Sequence, residues 1–194
     1  RMGGMVYCYD AKTGNLLWNY TAVDKYSEML WSNNWPIRQV FITDDKMYLV
    51  HTEHSGNNPK TRGAPFTCIN ATTGEEIWTM LGGFRSTDWG GRAVIGDSII
   101  ATYNSYDQLI YAIGKGPSKT TVNINNDVLT DEPVLIQGTV MDVSPGTESP
   151  DQRLRFPNGV PAVSDASQSE WMKYVYMQFA RPMDATGVDV TLSV

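Results

Sequence analysis

The chain has 194 residues, a net charge of −6, 41% apolar residues and two cysteines. An acidic chain without a basic cluster is a poor partner for nucleic acid or an anionic membrane surface. No run approaches the ~18 apolar residues that span a bilayer, and the length leaves room for roughly one to two domains.

Val6 to Tyr9 reads as a short strand. Asp10 then opens a tight turn, because a short side-chain acceptor can bond the backbone ahead of it. Gly14 supplies the positive φ that closes such a turn, and Leu16-Leu17-Trp18 begins the returning strand. Arg38 to Thr43 and Lys46 to Glu53 read as strands around an Asp44-Asp45 turn, followed by a polar loop over His54 to Gly63. Ala64 to Asn70 and Glu76 to Leu81 complete that group. A third group follows in the same order: Arg92 to Ile95, a Gly96-Asp97 turn, Ser98 to Asn104 and Leu109 to Ile113.

The chain repeats itself. Cys8-Tyr9-Asp10-Ala11-Lys12-Thr13-Gly14-Asn15-Leu16-Leu17-Trp18 returns as Cys68-Ile69-Asn70-Ala71-Thr72-Thr73-Gly74-Glu75-Glu76-Ile77-Trp78, at an offset of 60. A fixed period of this size is the mark of a repeat architecture. The shared pattern of Asp10, Gly14 and Trp18 with Asn70, Gly74 and Trp78 resembles the tryptophan-docking motif of quinoprotein-type (PQQ-like) β-propellers. The resemblance implies that Trp18 and Trp78 each pack against the neighbouring blade, and that residues 1–117 are the C-terminal blades of a propeller. About two four-stranded blades can be counted. In the third group Gly114-Lys115-Gly116-Pro117 stands where another motif is expected, as in a terminal blade. Neither end of the chain reads as a natural terminus.

A different pattern begins near Ser118. Thr120 to Asn125 and Val134 to Val143 read as strands, and a Pro/Gly/Asp-rich stretch runs to Asp165. Ser167-x-x-Glu170 resembles a capping box ahead of Trp171, Met172, Val175 and Tyr176 at helical spacing. Val188 to Val194 alternates as a further strand. Residues 118–194 are thus similar to the start of an immunoglobulin- or fibronectin-like β-sandwich with one helical insertion. The whole is expected to be mainly β. It resembles archaeal cell-surface proteins in which an Ig-like domain follows PQQ-like repeats, which implies an extracellular or cell-surface location.

Candidate sites are few. Trp35-x-x-Arg38 and Trp89-x-x-Arg92 precede corresponding strands, and in a propeller such loops face the central opening. The two pairs would form an aromatic and cationic rim for an anionic or sugar-like ligand. Alternatively each Trp packs between blades and each Arg bonds strand-end carbonyls. Asn19 and Asn70 lie in Asn-x-Thr glycosylation triplets, and Asn70 is expected to spend its side chain on the turn. His51, Glu53 and His54 do not converge on a strand, so no metal site is assigned to them. Asp44, Asp45 and Asp142 read as turn and strand-edge acids. Cys8 and Cys68 occupy the same slot in successive repeats, too far apart for a disulfide.

The expected function is a non-enzymatic cell-surface scaffold or binding module for adhesion, glycan or protein binding, needing no cofactor. One alternative is a fragment of a quinoprotein dehydrogenase using PQQ and Ca²⁺. Its quinone and calcium ligands cannot be matched to residues of this chain. Another is a scaffold for envelope assembly.

Overall fold

A computed structural model describes residues 3–27, 33–52, 64–84, 93–124 and 131–193. Among the described residues the fold is mainly β, with four antiparallel sheets. The chain divides into two compact units, Arg1–Gly114 and Lys115–Val194.

In the first unit, β1 (Met5–Tyr9) and β2 (Leu16–Thr21) form a hairpin. Strands β3 (Ile37–Thr43), β4 (Lys46–His51), β5 (Ala64–Asn70) and β6 (Glu76–Gly82) form a four-stranded meander in sequence order. Strands β7 (Val94–Gly96), β8 (Ile99–Tyr103) and β9 (Ile110–Ile113) make a third sheet. Both motif hairpins shift register at the same point, between Cys8 and Tyr9 and between Cys68 and Ile69. The repeat therefore extends to the irregularity of the ladder, where a bulge tightens the local twist.

Two details differ from the sequence expectation. The strand expected to reach Glu53 ends at His51, and residues 53–63 lie outside the described residues. The turn between β7 and β8 is centred on Asp97-Ser98 rather than Gly96-Asp97. Both central residues are left-handed there (φ 49° and 63°), as at Asp44-Asp45 (φ 51° and 55°). Left-handed pairs suit a two-residue hairpin because their twist matches that of the flanking strands, and Asp tolerates the region.

The core forms where the sheets meet. Trp18, Ala22, Trp35, Ile37, Leu49, Ala64 and Ile69 make one buried cluster, with Val6, Cys8, Tyr20 and Met47 packed against it. Strand β5 is buried along nearly its whole length, so both faces of the second sheet are covered there. Phe66 lies at its centre, stacked on Trp78 (centroids 5.5 Å apart, 12° between planes) and meeting Phe84 edge-on at 6.0 Å.

In the second unit, β10 (Ser118–Ile124), β11 (Ile136–Asp142) and the short β12 (Val160–Pro161) form a three-stranded sheet. The Pro/Gly/Asp-rich stretch contains a helix, α1 (Pro150–Arg155). Pro150 at its first position costs nothing there, since that N–H has no helical partner. The helix expected after Ser167 is α2 (Gln168–Met177), but Ser167 does not cap it. Ser167 is itself helical (φ −91°, ψ −11°), and its hydroxyl accepts the Thr186 N–H at 2.9 Å. Val188 to Ser193 form no strand; only Gly187 makes a single bridge, to Val163. Alternation alone cannot hold a strand that lacks a neighbour to accept its hydrogen bonds. Val160, Trp171 and Val175 form the core of this unit, flanked by Phe156, Val163, Tyr174 and Ala185. The Arg155 guanidinium lies 4.6 Å from the Tyr174 ring centre and 5.0 Å from that of Phe156, and donates to the Val175 carbonyl at 2.9 Å.

Phe66 is fully buried and touches aromatic rings on two sides. Phe66→Ala is expected to destabilise the first unit by roughly 3–5 kcal/mol, the range for truncating a buried aromatic side chain. Urea unfolding followed by tryptophan fluorescence measures it.

Candidate functional site

The repeated motif builds the same turn twice. Asp10 N–H donates to the Asn15 carbonyl at 2.9 Å, and Gly14 N–H to the Asp10 carbonyl at 2.8 Å. Asn70 N–H donates to Glu75, and Gly74 N–H to Asn70, both at 2.8 Å. The closing glycines are left-handed, with φ of 72° and 78°. Asp10 Oδ1 accepts the N–H groups of Lys12 (3.0 Å) and Thr13 (2.7 Å) and the Thr13 hydroxyl (2.9 Å). Asn70 Oδ1 accepts the N–H groups of Thr72 (2.8 Å) and Thr73 (3.0 Å). These bonds favour the carboxylate form, so the Asp10 carboxyl lies below the usual range, with the Thr13 N–H as the largest cause.

The second turn receives the first sheet. The Trp18 indole N–H donates to the Ala71 carbonyl at 3.1 Å, between residues 53 positions apart. Its ring covers Gly74, where a Cβ would stand 2.6 Å from a ring carbon. Beside it the Tyr20 hydroxyl donates to Glu76 Oε2 at 2.9 Å. Burial, and then the Glu76 carboxylate, push the Tyr20 phenol well above its ordinary range. Trp78 does not repeat this arrangement. Its ring stacks on Phe66 of its own sheet and meets Tyr48 edge-on at 6.1 Å.

The second and third sheets are joined through a third copy of the turn, which the sequence hides. Asn104 N–H donates to the Leu109 carbonyl and Gln108 N–H to the Asn104 carbonyl, both at 2.9 Å, and Gln108 is left-handed (φ 65°). Neither glycine nor tryptophan marks this turn. Asn104 was the one available sign, because its side chain occupies the place of Asp10 and Asn70. Its Oδ1 accepts the Tyr106 N–H at 2.9 Å and also the Gly83 N–H at 2.7 Å, from just beyond β6. The Ser105 N–H and hydroxyl both return to the Gly83 carbonyl, at 2.9 and 2.8 Å. Phe84 then meets Tyr111 of β9 edge-on at 5.3 Å.

The expected ligand rim is altered by burial. Trp35 is only 3% exposed, belongs to the main core cluster and meets His51 edge-on at 5.4 Å. It therefore offers no open ring face to a ligand. Arg38 is half-buried on β3, where its residue pairs with Val50. Trp89 and Arg92 lie outside the described residues. His51 is buried, while Glu53 and His54 are outside the described residues. Among the described residues no three His, Cys, Asp or Glu side chains gather as metal ligands. Cys8 and Cys68 are both free thiols, and burial pushes Cys68 up to about 11. A thiol so shifted stays protonated near neutral pH and is a poor nucleophile. Asn19 is exposed on β2, whereas Asn70 is half-buried and its amide oxygen is engaged in the turn. The chain matches no family model, no curated protein and no solved structure.

Two predictions follow from the turns. Gly14 and Gly74 share a positive φ, but a Cβ at Gly14 meets nothing within 4 Å. Gly14→Ala and Gly74→Ala should thus both carry the left-handed cost of about 1–2 kcal/mol. Gly74→Ala should lose about 1–3 kcal/mol more by displacing the indole. In the Trp18→Ala background that excess should vanish, which a double-mutant cycle in urea reads directly. The second concerns acid. The Asp10 contribution is present above the ordinary carboxyl value of 3.8 and is lost as pH falls through the lowered folded value. Asp10→Asn should preserve the turn, as Asn70 does, and flatten that part of the profile of thermal midpoint against pH.

Proposed function

We propose that residues 1–117 are the C-terminal blades of a quinoprotein-type β-propeller. The blades form a non-enzymatic scaffold or binding module at the cell surface, and the second unit is an adjoining Ig-like module. The observation that carries this reading is the dock of Trp18 on the turn of the next repeat, through the Ala71 carbonyl and the bare face of Gly74. Recurrence of one turn frame in three successive sheets supports it further. A repeat that bonds its neighbour through a fixed turn suits a rigid platform, since each unit adds a nearest-neighbour interface.

The described polar groups of the motif serve the fold. Asp10, Asn70 and Asn104 spend their side-chain oxygens on backbone N–H groups, and Cys68 is buried and protonated. With Trp35 in the core, that ring supplies no aromatic face to a glycan or protein site in this reading.

Reconstitution with PQQ and Ca²⁺ tests the class. The expected outcome is no quinone absorbance retained after desalting and no alcohol- or sugar-dependent dye reduction. Quinone retained together with substrate-dependent reduction would replace the scaffold reading with the dehydrogenase one. A glycan array and a cell-surface binding assay then look for the ligand directly.

A further inference from the structure

In the second unit the chain leaves the sheet at Asp142, the last residue of β11, and rejoins it at Val160 of β12. These two residues are register partners. Between them the chain makes a 3-10 turn (Pro145–Glu148) and then α1. This excursion and the two strand ends line a cleft of about 290 Å³. Phe156, Pro157 and Val160 give it an apolar wall, and Asp142, Thr147 and Glu148 line it with oxygens. Asp142 is half-buried, and its Oδ1 accepts the Ser144 N–H at 2.8 Å and the Ser144 hydroxyl. Among the described residues its second oxygen accepts no hydrogen bond, and no basic side chain pairs with it. Arg153, also in the lining, is committed elsewhere: its Nε and Nη2 both donate to Glu148 Oε2, the first at 3.1 Å. Arg155 is directed to the Val175 carbonyl. The Thr147 hydroxyl proton goes to the Ser144 carbonyl at 2.7 Å, so its oxygen is left as an acceptor. The lining thus carries one carboxylate more than it has cations. Burial, and then the Asp142 charge, push the Tyr176 phenol up to about 12, so the field of this carboxylate reaches into the fold.

We infer that this cleft binds an organic cation, the ammonium or guanidinium end of an aliphatic chain, with its charge at Asp142 and its stem along Phe156, Pro157 and Val160. A half-buried carboxylate without a partner is costly. An ammonium or guanidinium removes that cost, because it brings both the opposite charge and several N–H donors to a lining whose open oxygens accept. Its alkyl stem covers apolar surface, as long basic side chains do. The volume suits one such chain, since pockets for larger ligands begin near roughly 300 Å³. A metal ion fits less well. Arg153 stands in the same lining, and no three His, Cys, Asp or Glu side chains gather among the described residues. The inference uses residues of the second unit alone, so it does not depend on the propeller reading of the first.

The test is an NMR titration of the isotope-labelled 194-residue chain near neutral pH. The probes are Nα-acetyl-lysine amide, its Nε-acetylated form and 1,5-diaminopentane. The lysine probe and the diamine are expected to shift the amides of Thr147, Glu148, Gly159 and Val160 at millimolar concentration. The Nε-acetylated probe keeps the stem but loses the charge, and should leave those amides in place. Asp142→Asn keeps an oxygen for the Ser144 N–H and removes the charge. It should weaken binding roughly tenfold or more, as for loss of a charge-assisted hydrogen bond, with a thermal midpoint near that of the parent. Tighter binding of the lysine probe identifies a basic side chain of a polypeptide as the source, and tighter binding of the diamine a small free amine; both support the proposal. Equal shifts with the acetylated probe or undiminished affinity in a folded Asp142→Asn chain would each overturn it. No shift at about 50 mM lysine probe, well above a millimolar Kd, would do the same. So would saturation of these amides by Ca²⁺ or a methyl glycoside at lower concentration than the amines require. The acetylated-probe comparison uses the parent chain only, and decides the question even where the variant fails to fold.

Discussion

The first unit depends on one contact, the Trp18 ring lying against Gly74 with its N–H on the Ala71 carbonyl. An indole is a broad apolar plate with one donor, and it needs a flat receptor and one acceptor. The Asn70 turn supplies both. Its side-chain oxygen takes the N–H groups of Thr72 and Thr73, and the Ala71 carbonyl stays available to receive the indole. Glycine closes the turn, so the ring approaches to a distance no side chain would permit. Val6, Cys8 and Tyr20 pack against the same buried cluster, which holds Trp18 together with Leu49 and Ile69. The glycine is thus demanded twice, by backbone torsion and by the neighbour's ring.

The next joint solves the same problem with different chemistry. Between the second and third sheets the connection is made by backbone, with Gly83 exchanging hydrogen bonds with Asn104 and Ser105. A Cβ on Gly83 would come within 2.5 Å of the Tyr106 nitrogen, so glycine is again what permits the approach. The aromatic contribution comes from Phe84 against Tyr111, while Trp78 stays over its own sheet on Phe66. In a stack of repeats each neighbour interface contributes its own stability. The two joints therefore respond differently to substitution, the first through one ring and the second through a polar clasp.

Among the described residues, the second unit packs its helices with one three-stranded sheet. Trp171 and Val175 of α2 pack with Val160 of β12, and two side chains of α1, Gln152 and Arg155, donate to the Val175 carbonyl at 2.9 Å each. Near its end the helix turns left-handed at Gln178 (φ 59°), whose N–H reaches the Lys173 carbonyl. The Val175 carbonyl is thus held by side chains of a neighbouring helix. This ties α1 to α2 and gives a six-residue helix, too short to be stable alone, a reason to persist.

Sequence alone determined the hairpins and their turns. Asp10, Asn70, Gly14 and Gly74 specify local torsions and local hydrogen bonds, and β5 runs over the same residues, Ala64–Asn70, that its pattern indicates. It also placed a change of pattern near Ser118, because alternation and turn spacing change there. Tertiary structure decided which rings are shared between sheets. Trp18 and Trp78 are identical in local pattern, yet one docks on a neighbour and the other lies on its own sheet, since the surface opposite each differs. The same reason put Trp35 in the core, made a motif turn at Asn104 without glycine, and left Val188 to Ser193 out of any sheet. A turn is written in adjacent residues, whereas burial is set by residues far away in the chain, and no local spacing records what will stand across from a side chain.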